Sequence, residues 1–340
     1  MSNRRYDPKN PRPGWNPGPM NTILDAIDHQ PLWGGITTAW RRPYSRNLAG
    51  VEVAFLGIPW DGTPLWRTGQ RFMPRAIREA SMSHVAKVPF IFSGELKMVD
   101  YGDALFHPGN LWDYLDQTEQ IAAEILAAGT SIFACGGDHS IPLPVVRAYG
   151  KAFGKGLSLI HFDAHSDAYA EILPYPTGGT WVNELTEEGW VDGQRSVTLG
   201  VRTDTVELGR ADIFHQLDSE AIIERGPAWA AERVLEIVGD NLVYITFDPD
   251  FLDASQAPAV HTPEPLGPDM HFTNKLFKHL TGKGLKVIGF DINELTPQYE
   301  PPAGLTAMNI CTVSNWCLRL LMDGRKSAGL TLDHVGAADG

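Results

Sequence analysis

The segment Asp163-Ala164-His165-Ser166-Asp167 sets three potential metal ligands at alternate positions. If the chain is extended there, alternation turns all three to one side. Asp248-Pro249-Asp250 repeats that spacing with two carboxylates, and Gly136-Gly137-Asp138-His139-Ser140 offers an imidazole after a sharp glycine turn. His139, Asp163, His165, Asp167, Asp248 and Asp250 form a candidate donor set of two imidazoles and four carboxylates. Four carboxylates gathered in one place demand cations. Two divalent ions would neutralise them, and mixed imidazole and carboxylate ligation suits Mn, Ni, Co or Zn. A water bridging two such ions loses a proton near neutral pH, so metal-assisted hydrolysis is the expected reaction class. A further cluster, Asp291-Ile292-Asn293-Glu294, adds a spare carboxylate. Facing the nucleophile, Glu294 would hold a planar cation such as guanidinium through two parallel hydrogen bonds.

Each cluster comes directly after an apolar run that reads as a buried strand: Ser131 to Ala134, Leu157 to Phe162, Leu242 to Phe247 and Leu285 to Phe290. Val51 to Ile58 and Ser196 to Gly200 read the same way. Helical stretches alternate with them: Arg75 to Met82, Trp112 to Ala128, Pro144 to Phe153, Ala228 to Val238 and Ile310 to Leu321. Strand and helix in alternation predict a three-layer α/β/α fold around a mostly parallel sheet. Ligands bind outside the carboxyl ends of such strands, so clusters far apart in sequence are expected to converge.

The chain has 340 residues and admits one large α/β domain. Residues 1–50 read as a Pro-rich N-terminal arm, because Pro8, Pro11, Pro13, Pro17 and Pro19 prevent regular helix. Trp15, Trp33 and Trp40 suggest that this arm packs on its own body or on a neighbouring subunit. Residues 51–325 read as a single catalytic domain and 326–340 as a flexible tail. Asp plus Glu is 41 against 28 for Lys plus Arg, a formal charge of −13. That balance disfavours nucleic-acid binding and suits a small cationic substrate. No apolar run reaches the ~18 residues of a membrane span, and Met1 to Met20 has no signal-peptide core. Cys135, Cys311 and Cys317 form no framework of pairs, so reduced thiols and a cytoplasmic location are expected.

Taken together the motifs resemble the ureohydrolase family, which includes arginase and agmatinase. The resemblance runs from about residue 51 to 322. It is carried by Gly57-Ile58-Pro59-Trp60-Asp61, by Arg75-Ala76-Ile77-Arg78-Glu79-Ala80-Ser81, by the four clusters above, by Gly200-Val201-Arg202 and by Thr262-Pro263-Glu264-Pro265. It implies an arginase-like fold, trimers or hexamers, and two Mn2+ or Ni2+ ions on the six ligands. It further implies cleavage of a guanidino C–N bond to urea and an amine, with Glu294 holding the guanidinium.

Departures from the family pattern bear on substrate. Agmatinase-like members carry a proton-shuttling His on the loop after Asp-x-His-x-Asp. Here that stretch resembles Tyr175-Pro176-Thr177-Gly178-Gly179-Thr180-Trp181, and no His lies between His165 and His215. His261 stands where a Gly is usual and is the candidate replacement. Thr63-Pro64-Leu65-Trp66-Arg67 replaces the usual substrate-loop stretch. Trp60, Trp66 and Trp181 would then narrow the pocket and offer π faces to a cation. A small or alkylated guanidine, or a biguanide of the metformin kind, fits that expectation; an agmatine-like compound stays open. Two other readings remain: a formimino or amide hydrolase on the same fold, and a non-catalytic or partner-dependent subunit of a mixed oligomer.

Overall fold

The computed structural model describes residues 35–64, 66–82, 96–169, 174–203 and 213–330. Eight strands run in chain order: β1 Val53–Gly57, β2 Met98–Asp103, β3 Ser131–Cys135, β4 Ser158–Phe162, β5 Val197–Leu199, β6 His215–Leu217, β7 Leu242–Phe247 and β8 Lys286–Ile292. They form one sheet in the order β2-β1-β3-β8-β7-β4-β5-β6. Every pairing among these strands is parallel. Parallel neighbours need long crossovers, and helices supply those that follow β1, β4 and β7.

The helices are α1 Met73–Met82, α2 Leu111–Ala127, α3 Pro142–Phe153, α4 Trp181–Glu187, α5 Ser219–Arg225, α6 Pro227–Val238, α7 Met270–Leu280 and α8 Leu305–Ser327. Alternation along each strand sends side chains to opposite faces. Val53 and Phe55 of β1 join the apolar layer with Ile77 of α1, Val234 of α6, Phe277 of α7 and Leu318 of α8. Ala54 and Leu56 join the other layer with Tyr114 of α2, Val145 of α3 and Leu185 of α4. The fold is therefore three-layered, α/β/α, as the alternating pattern predicts.

Residues 35–50 lie on the body of the same chain. Trp40 packs 5.4 Å from Phe133, ring centre to ring centre, and its Nε1 donates to Asn315 Oδ1 (2.8 Å). Trp15 and Trp33 lie outside the described residues. The C-terminal helix α8 continues to Ser327, and residues 331–340 lie outside the described residues. Among the described residues, no helix is long and apolar enough to cross a membrane.

The register matters most at the sheet's centre. Cys135 pairs with Ile292, Ile292 with Phe247, and Phe247 with Phe162. The last residues of β3, β8, β7 and β4 thus form one transverse row. Strands sit ~4.8 Å apart, so the four segments leaving this row emerge within roughly 15 Å of one another.

Candidate metal centre

The segments leaving the row carry the predicted donor set. After β3, Gly136 (φ 89°) and Gly137 (φ 83°) take left-handed conformations. A Cβ on Gly136 would lie 2.4 Å from Pro74 Cδ, and one on Gly137 would lie 2.8 Å from Ile58 O. Only glycine fits both demands, and the turn delivers His139 over the end of the sheet. His139 Nδ1 lies 2.9 Å from Asp163 Oδ2, 2.9 Å from Asp167 Oδ2 and 3.4 Å from Asp248 Oδ2. His165 Nδ1 lies 3.2 Å from Asp163 Oδ1 and 3.0 Å from Asp250 Oδ2. All six predicted ligands are brought together, with Asp163 contributing one oxygen to each half.

The expectation of an extended chain at residues 163–167 is corrected. The segment bends: His165 N donates back to Asp163 Oδ1 (2.6 Å), and Asp167 adopts φ 51°. The three ligands converge because the Asp163 side chain closes a turn, not because the backbone alternates. Glu294 is likewise left-handed, at φ 58°. Left-handed non-glycine residues are rare and are held by their surroundings, often at functional sites.

Cations fit this donor set on two independent grounds. The buried Nδ1 of His139 faces three carboxylates yet makes no well-formed hydrogen bond. A ligand atom aimed at a cation has that arrangement. Four carboxylates are also buried together there, more than the imidazoles facing them can neutralise. Burial, then the charges of Asp250 and Asp163, push the Asp248 carboxyl well up. Burial and then Asp163 push Asp250 up. Burial would raise Asp163 as well, but the neighbouring His161 ring, with the His139 and His165 imidazoles beside it, holds it well below the usual range. Divalent ions remove this mutual repulsion. The cluster is a binuclear metal-binding site.

His161 belongs to this centre, although the motifs alone do not single it out. Its Nε2 donates to Asp163 Oδ2 (2.8 Å), and its Nδ1 meets Thr198 Oγ1 (3.2 Å). A sequence signal for it exists: in strand β4, His161 is two residues before Asp163 and shares its side of the sheet.

Glu294 stands beside the centre, buried. Its Oε1 accepts from His139 N (2.7 Å) and its Oε2 from Gln70 Nε2 (2.9 Å). Burial, then the charge of Asp138, push its carboxyl up to about 8. A bound cation reverses that penalty.

A cavity of about 400 Å³ opens over the centre. His139, His165, Asp167, Asp248 and Glu294 form its floor, and Pro64, Trp66, Tyr169, Tyr175, Thr177, His261 and Thr262 are in its walls. Of the three tryptophans expected to face substrate, Trp66 alone lines the cavity. Trp60 is buried and stacked on Tyr114, 4.4 Å between ring centres and 3° between planes. Trp181 opens α4 and is fully buried in the apolar layer, where its Nε1 donates to Asp167 Oδ2 (2.8 Å). Its role is to hold a ligand carboxylate, which corrects the expected contact with substrate. The wall loop is tied down by Thr63, whose Oγ1 donates to Asp138 Oδ2 (2.9 Å) and accepts from Gly178 N (3.1 Å). His261 also lines the cavity, its Nδ1 2.8 Å from Arg67 O.

Comparison with known proteins agrees with this geometry. The family model described as Arginase family matches residues 51–318. The chain belongs to the arginase family. It is 33% identical over 318 residues to an agmatinase of Chromobacterium violaceum, covering 89% of this chain and 96% of that protein. A solved structure of a hypothetical agmatinase from Burkholderia thailandensis superposes with a TM-score of 0.80 at 31% identity, over 88% of this chain and 94% of that one. Proclavaminate amidino hydrolase from Streptomyces clavuligerus superposes with a TM-score of 0.79 at 27% identity, over 87% and 100%. Family membership and the binuclear centre together make this arginase-family protein a guanidine- or amidine-hydrolysing enzyme.

Proposed function

We propose that this enzyme cleaves the C–N bond of a small or alkylated guanidine, or of a biguanide, releasing urea or a substituted urea and an amine. The observation that carries this reading is the composition of the cavity. Its charged carboxylates, Asp167, Asp248 and Glu294, all sit on the floor, while the walls are aromatic, prolyl and hydroxylic. Among the described lining residues, none above the floor would pair with the distal ammonium of a longer diamine substrate. Apolar and aromatic walls suit alkyl substituents and the faces of a delocalised cation.

His139, Asp163, His165, Asp167, Asp248 and Asp250 would hold two divalent ions, Mn2+ or Ni2+, which would supply hydrolytic chemistry at neutral pH and offset the carboxylate charge. The chain's own residues do the rest. Glu294 orients the guanidinium by charge-assisted hydrogen bonds and fixes which carbon faces the centre. His261, in the cavity wall, would move the proton that the leaving amine needs. A carbonyl only accepts, so in the 2.8 Å contact with Arg67 O it is Nδ1–H that donates, and Nε2 is the nitrogen left to exchange a proton. General acid–base groups contribute about 10²–10⁴-fold, so His261→Asn is expected to lower kcat by at least about 10²-fold. Metal content should not change. An unaltered kcat in that variant would remove His261 from the reaction.

The substrate test is urea release by the full chain loaded separately with Mn2+ or Ni2+. The panel spans guanidine, methylated guanidines, a biguanide, agmatine, guanidinobutyrate and arginine. Turnover confined to the small and alkylated compounds is the expected result. Turnover of agmatine in preference to them would overturn the proposal. Two bound ions with no turnover of any compound would assign this chain to a partner-dependent oligomer.

A further inference from the structure

The two nitrogens of His139 face different worlds. Nδ1 points at the carboxylates of the centre, while Nε2 lies 2.9 Å from Thr246 Oγ1. Thr246 Oγ1 donates in turn to Asp291 Oδ1 (2.9 Å). Thr246 on β7 and Asp291 on β8 are direct register partners, so sheet pairing itself holds this contact. All three residues are buried.

The direction of the chain of hydrogen bonds is fixed from its far end. An ionised Asp291 oxygen only accepts. Asn293 Nδ2 also donates to Asp291 Oδ1 (2.8 Å), so the oxygen is held as an acceptor from a second side. Thr246 has one hydroxyl proton, and Asp291 takes it. The lone pairs of Thr246 Oγ1 then accept from His139, which places the imidazole proton on Nε2. In the neutral imidazole, the form that can ligate, Nδ1 then carries the lone pair, directed at the position where Asp163, Asp167 and Asp248 converge. A ligating imidazole needs this tautomer, and a partner on the other nitrogen also fixes ring orientation.

We propose that Thr246 and Asp291 are positioning residues: they set the tautomer and orientation of His139 and so tune the affinity of one of the two ion sites selectively. The inference rests on the binuclear centre but not on the choice of substrate. Selectivity arises because His139 serves only the half built with Asp167, whereas His165 serves the half built with Asp250. The second hydroxyl relay differs in this respect. Thr198 meets His161, which donates to Asp163, a residue with one oxygen in each half.

The test is calorimetric titration of the metal-stripped full chain with Mn2+ and, separately, with Ni2+. Two ions bound by the wild type establish the centre; fewer would refute the centre itself. Thr246→Val removes the hydroxyl at nearly constant volume. It is expected to weaken one ion by about 10–100-fold and leave the other within about twofold. Thr246→Ser restores the hydroxyl and should restore both affinities. Thr198→Val is expected to weaken both ions, through the shared carboxylate. If the valine variant loses its far-UV circular dichroism, Thr246→Ala reads the same quantity. Wild-type affinities in the hydroxyl-free variant would overturn the proposal. So would equal loss of both ions with no rescue by serine.

Discussion

Asp163→Ala is expected to abolish turnover and to reduce the bound metal from two ions toward none. Asp163 is the carboxylate with Oδ2 2.9 Å from His139 Nδ1 and Oδ1 3.2 Å from His165 Nδ1, so its removal opens both halves at once. It also strips His161 of its acceptor. The chemical consequence is large because a metal lowers the pKa of bound water from about 15.7 to about 7, and without it hydroxide is scarce at neutral pH. A loss on the order of 10³-fold or more in kcat is the expected size. Metal analysis of the purified variant and urea release measure the two effects separately. Full activity with two ions retained would place the reaction elsewhere.

The second large effect concerns the metal-free chain. Its stability should fall as pH rises, opposite to the usual behaviour of carboxylates. Burial pushes Asp291 up to about 6 and Glu294 up to about 8, and raises Asp248 and Asp250. Burial would lower His139 and His165, but Asp167 and Asp250 respectively, with the other carboxylates, raise both. A group with a raised pKa in the folded state holds its proton more tightly there than in the unfolded chain. Its stabilisation is complete below its unfolded pKa and is lost as pH climbs through the folded one. For Glu294 that window runs from 4.5 to about 8. Asp163, held low, acts in the opposite sense but only below its ordinary value of 3.8. Divalent ions compete with those same protons, so their effect grows with pH. At a hundredfold excess over Kd each ion adds about 2.7 kcal/mol, and two would raise Tm on the order of 5–10 °C. Thermal unfolding with and without metal, at about pH 5 and about pH 8, reads the sign. A metal-free Tm that rises between the two would contradict the burial argument.

The donor set is legible in the sequence because each ligand cluster directly succeeds an apolar run, and a parallel sheet leaves few places for such residues to go. Leu242–Phe247 is bounded to the residue, since its strand is rich in β-branched and aromatic residues and free of charge along its whole length. Strand β2, Met-Val-Asp-Tyr-Gly-Asp, escapes a sequence reading because Asp100 and Asp103 disguise it. Asp100 is in fact buried and accepts two hydrogen bonds from Arg78, a pairing no local pattern announces. Strand β6 is three residues long and carries no periodic signal. Tryptophan direction is equally invisible. Trp66, Trp60 and Trp181 are the same residue type in similar loop-like contexts, yet one lines the cavity, one stacks on Tyr114 and one anchors Asp167. Their placement depends on which layer each neighbouring helix joins, and that is decided by tertiary packing.

The row formed by the ends of β3, β8, β7 and β4 also bears on how the protein is made. Spatial order across that row is not the order of synthesis: β8 leaves the ribosome last of the four yet sits between β3 and β7. A nascent chain that has completed β3, β4 and β7 and the turn after β7 already carries all six ligands, but its sheet lacks the strand that joins β3 to β7. Glu294 and the Asp291 partner of Thr246 are still to come. The half built from Asp163, His165 and Asp250 needs only the β4–β7 pair, whereas the His139 half waits for the strand that joins β3 to β7. Both halves face each other only after the last strand has closed the gap.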